Sequence, residues 1–215
     1  MTEVTIADYG ASNILSIMRA FQHLDVDVSC ADQPADILAA KRLVVPGVGA
    51  FGDSMRALHR QGMAAAIVEF AQSGRPLLGI CLGMQLLFDS SSEFEEMPGL
   101  GLIAGRVDPI HATGINGLPH KIPHVGWNRL RGAPWSGSIL RDLPPKPYVY
   151  FVHSFAARPA KASEILATTA YDGREIVAAV QSDNLIGTQF HPEKSGEQGL
   201  TILANFMTEC GGLKR

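Results

Sequence analysis

The feature that most constrains this chain is a rhythm in its first part, where short β-branched or apolar runs alternate with segments whose apolar residues recur at helical spacing. Val4-Thr5-Ile6-Ala7 reads as a strand. A Tyr9-Gly10 turn follows, then a helix with Ser12 as N-cap and Ile14, Leu15, Met18, Phe21 and Leu24 on its apolar face. Asp27 to Ala31 reads as a second strand, Ala35 to Ala40 as a short helix, and Leu43-Val44-Val45 as a third strand ending at Pro46 before a glycine-rich turn. Met63 to Ser73 is a helix closed by Gly74, and Pro76 to Ile80 a buried strand running straight into Cys81 and a helical segment, Leu82 to Phe88. Parallel strands cannot be joined by tight turns, so this alternation writes a parallel sheet with crossover helices.

Beyond about residue 98 the texture changes to glycine, proline and strand-like alternation. Tyr148 to Phe155 and Ile165 to Ala170 read as strands. Asp172-Gly173 and Asp183-Asn184 are hairpin turns that give Glu175 to Gln181 and Leu185 to Phe190 antiparallel partners, and a last helix covers Gln198 to Glu209. No repeat, low-complexity tract or linker interrupts the 215 residues, so a single domain over 1–215 is expected, its β-rich half extending the same sheet. The fold class is α/β: a three-layer domain with a central mixed, largely parallel sheet flanked by helices, plus an antiparallel β extension.

Charge then removes whole classes of partner. Eighteen Lys and Arg against 21 Asp and Glu leave a net charge of −3, and no long basic run offers a footprint for nucleic acid or an anionic membrane. Three cysteines, Cys30, Cys81 and Cys210, are odd in number and form no CxxC pair, which argues against a disulfide framework and for a reducing compartment. The opening Met1-Thr2-Glu3-Val4-Thr5 lacks a basic signal region and the apolar runs are too short to span a bilayer, so a cytoplasmic protein is expected.

The sharpest local signal is Gly79-Ile80-Cys81-Leu82-Gly83, a strand-to-helix turn of the form G-x-nucleophile-x-G. Glycines two before and two after let the chain turn tightly enough to present the central side chain at the sheet's edge. A cysteine there also sits at a helix N-terminus, where partial positive charge favours thiolate. A base is available at Gln189-Phe190-His191-Pro192-Glu193: on an extended strand, residues i and i+2 face the same way, so His191 and Glu193 point together and the carboxylate can orient the imidazole.

Competing patterns are weaker. Gly47-Val48-Gly49-Ala50-Phe51-Gly52 matches a dinucleotide fingerprint, but it follows the third strand, and the next strand ends in Cys81 where a ribose-binding acid is wanted. Its backbone N–H groups serve better as one side of an oxyanion hole, with the N–H of Leu82 as the other. Flanking glycines would let a peptide plane in this turn flip and switch the hole off. His120 and His124 are four apart, yet Pro119 and Pro123 make a helix there unfavourable, so zinc spacing fails. His23, His59 and His111 read as surface or packing histidines and Trp135 as a packing residue. No cofactor or metal is called for.

The elbow Gly79-Ile80-Cys81-Leu82-Gly83-Met84-Gln85 with the late His191-Pro192-Glu193 resembles the class I triad glutamine amidotransferases. Four further stretches resemble, within that family, the glutaminase subunits of imidazole glycerol phosphate synthases: Asp8-Tyr9-Gly10 with Asn13 and Ser16; Pro46 to Phe51; Pro123-His124-Val125-Gly126-Trp127-Asn128; and Tyr150-Phe151-Val152-His153-Ser154-Phe155. The resemblance implies that Cys81 attacks the carboxamide of L-glutamine, that His191 carries the proton to the leaving ammonia, and that Glu193 orients His191. It further implies that Val48, Gly49 and Leu82 line the oxyanion hole and that Gly49 and Gln85 hold substrate. Asn13, Trp127, Tyr150 and Lys194 match positions that face a cyclase subunit, a (β/α)₈ barrel, in a heterodimer that makes imidazole glycerol phosphate and an aminoimidazole carboxamide ribotide from channelled ammonia. Phe155 departs from the family, which often has tyrosine there. A glutaminase serving another pathway, such as pyridoxal phosphate synthesis, a stand-alone cysteine hydrolase and a noncatalytic scaffold are the competing readings.

Overall fold

A computed structural model describes residues 3–10, 13–132 and 134–208. The first half runs β1 (Glu3–Ala7), α1 (Ile14–Gln22), β2 (Asp27–Ala31), α2 (Pro34–Ala39), β3 (Leu43–Val45), α3 (Phe51–Arg60), α4 (Met63–Gln72), β4 (Leu77–Ile80) and α5 (Leu82–Leu86). Strands then dominate: β5 (Phe88–Ser91), β6 (Met97–Pro98), β7 (Ile103–Pro109), β8 (His124–Arg129), β9 (Tyr148–His153), β10 (Phe155–Pro159), β11 (Ile165–Tyr171), β12 (Arg174–Ser182) and β13 (Leu185–Thr188), closed by α6 (Gly196–Thr208).

The central sheet has seven strands in the order β11-β12-β13-β4-β3-β1-β2. Its β13, β4, β3, β1 and β2 are mutually parallel, while β12 is antiparallel to both neighbours. Successive residues of the buried strands feed opposite faces, as the pleat requires. Leu43, Val45 and Leu77 pack with α2, α3 and α4 on one side, and Val44, Leu78 and Ile80 with α1 and α6 on the other. The three expected layers are therefore present. Hairpins at Asp172-Gly173 and Asp183-Asn184 form as read, with φ of 45°, 80° and 51° at Asp172, Gly173 and Asp183, values that Asp, Asn and Gly tolerate best.

Four local expectations need correction. Phe51–Arg60 is a helix, not part of the glycine turn; it buries Phe51, Ser54, Met55 and Leu58 at helical spacing. Leu15 is 57% exposed and Ile17 takes its place in the core beside Ala20 and Phe21. Tyr148 to Phe155 is two strands broken at Ser154: β9 pairs with β8, and β10 with β7. Residues 88–159 thus form a separate four-stranded sheet, β10-β7-β5-β6, and a two-stranded ribbon, β8-β9, instead of extending the central one. Trp135 packs as expected, its Nε1 donating to the Leu166 carbonyl at 3.1 Å. Ser12, Glu209 and Cys210 lie outside the described residues. Among those described, no helix is long and apolar enough to cross a membrane.

Candidate active site

The carboxyl ends of β3, β4 and β13 lie side by side, the location where open α/β sheets bind ligands. At the end of β4 the chain reverses so sharply that Cys81 takes φ 57° and ψ −112°, outside the regions ordinary residues favour. Backbone bonds hold it there: its N–H donates to the Thr188 carbonyl at 2.7 Å, and its own carbonyl accepts from Met84 and Gln85. Small neighbours make the turn possible. A Cβ on Gly83 would stand 1.9 Å from the Val45 carbonyl oxygen, and one on Gly47 2.6 Å from the Gly83 nitrogen, so β3 and the elbow meet backbone to backbone. Tyr9, buried, ties the start of the glycine turn by donating its hydroxyl to the Pro46 carbonyl at 2.6 Å, and burial pushes that phenol well above its ordinary range.

His191 and Glu193 do meet, although not on an extended strand. β13 ends at Thr188, and Pro192–Lys194 forms a 3₁₀ turn, for which proline's fixed φ suits the first position. His191 Nδ1 and Glu193 Oε1 are 2.8 Å apart, with side chains 2% and 0% exposed. The His191 backbone is clasped by β9 and by the residue after its own 3₁₀ turn, its N–H donating to the Tyr150 carbonyl at 2.9 Å and its carbonyl accepting from Ser195 Oγ at 2.6 Å. Burial works against a charged His191, but hydrogen bonding to and the negative charge of Cys81 and Glu193 outweigh it and lift the imidazole to about 9. An imidazolium is thereby favoured at neutral pH, the counterpart a thiolate needs.

A cavity of about 330 Å³ opens over the sulfur, lined by Val48, Gly49, Cys81, Leu82, Gln85, Glu93 and His191 with residues 152–155. The predicted nucleophile, base, oxyanion and substrate residues are thus brought together, and Glu193 backs them from behind His191. Leu82, as the first residue of α5, has an N–H with no partner inside the helix. Gly49 adopts φ 92° with open space around its Cβ position, so the turn has the freedom a peptide flip needs.

Glu93 is the functional candidate that sequence reasoning missed, because Ser91-Ser92-Glu93-Phe94-Glu95-Glu96 reads only as a solvated loop. Its Oε2 accepts the Phe51 N–H at 2.6 Å, at the first turn of α3. A carboxylate therefore fills the helix N-terminus where the dinucleotide reading requires a phosphate, and that reading fails on charge. His120 and His124 share no helix, since His124 lies on β8. Among the described residues, no group of three or more His, Cys, Asp or Glu is placed to hold a metal ion.

The four residues expected on a partner surface divide. Trp127 (56% exposed) and Tyr150 are cross-strand neighbours on the outer face of the β8-β9 ribbon, their rings edge to face at 6.2 Å, and Lys194 is exposed next to Glu193. Val125 and Tyr148, 54% and 48% exposed, share that outer face. Asn13 instead reaches inward from the N-terminus of α1, in a left-handed conformation (φ 81°), and its Nδ2 donates to Glu193 Oε1 at 2.7 Å. The inner face of the ribbon carries His124 and His153, His124 Nδ1 lying 2.9 Å from His153 Nε2.

Comparison with known proteins gives a consistent picture. The family model for class I glutamine amidotransferases matches residues 5–210. The chain is similar to imidazole glycerol phosphate synthase subunit HisH 1 of Legionella pneumophila, at 49% identity with 96% of this chain and 99% of that protein aligned. HisH of Moorella thermoacetica is 45% identical, with 96% of this chain and 94% of that protein covered. The chloroplastic synthase hisHF of Arabidopsis thaliana is 44% identical over 95% of this chain but only 34% of its own length. Among solved structures, PurLQS from Thermotoga maritima superposes with a TM-score of 0.71 at 19% identity, covering 95% of this chain and 97% of that one, which establishes likeness of fold.

Proposed function

Since this chain belongs to the class I glutamine amidotransferases, and within them to the HisH subunits of imidazole glycerol phosphate synthase in histidine biosynthesis, we propose that Cys81, His191 and Glu193 hydrolyse glutamine and that the ammonia passes to a cyclase subunit. The observation that carries this reading is the coincidence, at one cavity, of a strained buried cysteine and a histidine locked to a buried carboxylate.

The chemistry follows from the charges. Cys81 Sγ attacks the carboxamide carbon, and the carbonyl oxygen takes the electron pair while facing the backbone of the Val48-Gly49 turn and Leu82. His191 delivers its proton to the amide nitrogen, the C–N bond breaks and ammonia leaves behind a glutamyl thioester. Water then gives up a proton to His191 as it attacks the thioester, the C–S bond breaks, and glutamate departs with the thiolate and the imidazolium restored. Glu193 holds His191 in the tautomer that leaves Nε2 free for both transfers. Glutamine's zwitterionic head suits the rest of the cavity: Glu93 offers a carboxylate to the ammonium group, and Gln85 has its side-chain oxygen left over for a donor.

Ammonia released into neutral water becomes ammonium and ceases to be a nucleophile, so the partner must dock over the cavity mouth. The outer face of the β8-β9 ribbon, with Val125, Trp127, Tyr148 and Tyr150, and the neighbouring Lys194 form the proposed docking surface for a (β/α)₈-barrel cyclase in a heterodimer. There the ammonia meets a phosphoribulosyl nucleotide precursor and yields imidazole glycerol phosphate and an aminoimidazole carboxamide ribotide. The relatives' designation as subunits, and the 34% of the plant hisHF that aligns, support a second activity supplied from outside these 215 residues. We further read 1–215 as one amidotransferase domain acting in the cytoplasm. Cys81→Ala tests the reading: glutamine-dependent synthesis by the complex should vanish while ammonium-dependent synthesis survives. Retained glutamine turnover would overturn it.

A further inference from the structure

The elbow helix α5 spans only Leu82–Leu86, shorter than its sequence promised. The macrodipole of so few peptide units is correspondingly small, and help for a thiolate has to come from elsewhere. Besides His191, two groups touch the sulfur in this structure. The Val152 carbonyl oxygen lies 3.7 Å from Cys81 Sγ, where it can only accept, and so favours the protonated thiol. The side-chain nitrogen of Gln189 also lies 3.7 Å away, where it can only donate.

That the nitrogen and not the oxygen of Gln189 faces the sulfur follows from its surroundings. The Phe155 carbonyl accepts from His153 Nδ1 at 2.8 Å and meets the Gln85 amide at 3.0 Å; a carbonyl offers no proton, so the Gln85 atom there is the nitrogen. The same nitrogen stands 2.8 Å from the Gln189 amide, which must therefore turn its oxygen toward Gln85. Gln189 Nε2 is left to the sulfur. The residue is fully buried, so solvent does not relieve the arrangement, and a flipped amide would set its nitrogen against the Gln85 nitrogen.

We propose that Gln189 is a further residue of the reaction: its side-chain amide donates a hydrogen bond to Cys81 Sγ and holds the sulfur as thiolate, the displaced proton residing on His191 Nε2. The inference rests on Cys81 being the nucleophile of glutamine hydrolysis. Gln85 occupies the middle of the chain, so the group expected to touch substrate is one hydrogen bond from the group that tunes the nucleophile. Removing the donor leaves His191 alone to oppose the Val152 carbonyl, and a hydrogen bond to a charged group is worth about 1.5 kcal/mol, roughly tenfold.

The test is the pH profile of Cys81 alkylation by iodoacetamide, measured beside kcat and KM for glutamine in the complex with the cyclase. In Gln189→Met, which keeps length without a donor, alkylation at neutral pH should slow about tenfold, its half-maximal pH should rise, and kcat should fall with KM within about twofold. Gln189→Glu can still accept from Gln85 but puts an acceptor at the sulfur, and should fall further. An alkylation profile in Gln189→Met superimposable on the parent would overturn the assignment. Should the variants not fold, the parent chain labelled with ¹⁵N in glutamine side chains answers the question: one buried amide pair should shift in step with Cys81 titration, and no such pair would also overturn it. Alkylated parent protein that still hydrolyses glutamine would instead refute Cys81 as nucleophile, which keeps the two failures apart.

Discussion

Glu193 spends one oxygen twice. Its Oε1 accepts from His191 Nδ1 at 2.8 Å and from Asn13 Nδ2 at 2.7 Å, while its Oε2 has no hydrogen-bond partner among the described residues. A residue that resemblance assigned to the partner surface thus steadies the triad carboxylate. The consequence is a ranking of losses in kcat. His191→Ala removes the proton carrier and should cost most, on the order of 10³-fold or more. Glu193→Gln keeps the shape but brings an amide donor toward one of two existing donors, and should cost less than His191→Ala. Asn13→Ala loses only one bond to the carboxylate and should cost about tenfold with KM unchanged. Steady-state kinetics of the three variants check the order, and Asn13→Ala indistinguishable from the parent would return Asn13 to the interface alone. The pH profile should respond as well. Glu193 anion is one of the groups holding His191 up to about 9, so in Glu193→Gln the alkaline limb set by loss of the imidazolium should move down, toward the ordinary histidine value.

The β8-β9 ribbon shows how an element can depend on pH through two histidines paired on its inner face. His153 Nδ1 donates to the Phe155 carbonyl, so its Nε2 must accept from His124 Nδ1, and His124 Nε2 then faces the Asn128 amide at 3.4 Å. Each imidazole is neutral in that chain. Burial, chiefly, lowers His124 to about 4 and His153 to about 3, while Tyr171 stacks on His124 at 4.2 Å. Unfolded histidines take up protons below about 6.5. Between there and pH 4 the unfolded chain binds more protons than the folded one, so stability present above pH 6.5 drains away as pH falls. The urea midpoint should therefore drop across this window, and His124→Gln should flatten the slope by about one proton; an unchanged slope would show the pair to be charged already. None of this was legible in the sequence, where His124 and His153 are separated by 29 positions and pair only through strand register. Strands β1 to β4, both hairpins and α6 were legible because β-branched runs and Asp-Gly or Asp-Asn turns are local signals. The elbow was legible for the same reason. Helix α3 was not, since Gly47, Gly49 and Gly52 drew its first turn into the preceding loop, and neither was the break at Ser154, because a continuous apolar run does not say which sheet each half will join. The contacts of Asn13 and Gln189 with the triad, 180 and 108 residues apart in sequence, are products of topology alone.

Taken as one object, the molecule puts its cavity mouth beside an exposed apolar ribbon while the rest of its charged surface is mixed and nearly balanced. Exposed Trp127, Val125 and Tyr148 mark the surface where a partner gains most from excluding water. Lys194→Glu should weaken association with the cyclase or uncouple glutamine hydrolysis from synthesis, and unchanged affinity together with unchanged coupling would put the partner elsewhere. Docking over the mouth, as proposed, would also give the partner a hand on the glycine turn. An oxyanion hole missing one donor loses about 10²- to 10³-fold in rate, so a turn that presented a carbonyl instead of an N–H would keep the lone subunit nearly silent. Restoring the donor asks about 3 to 4 kcal/mol of coupling from partner and nucleotide ligand, within reach of a protein interface. The geometry decides which residue permits the movement. Gly47 is wedged against Leu82 and Gly83, where a Cβ would sit 2.6 Å from a backbone nitrogen, so any side chain there damages the elbow itself. Gly49 has open space and φ 92°, and flipping the 48–49 peptide swings that angle toward negative values. Gly49→Val penalises the positive-φ form alone and pins the turn in the other. In the parent, kcat for glutamine should rise on adding cyclase and its nucleotide ligand; in Gly49→Val the turnover with and without them should converge. A valine variant that keeps the full rise would show that activation bypasses this turn.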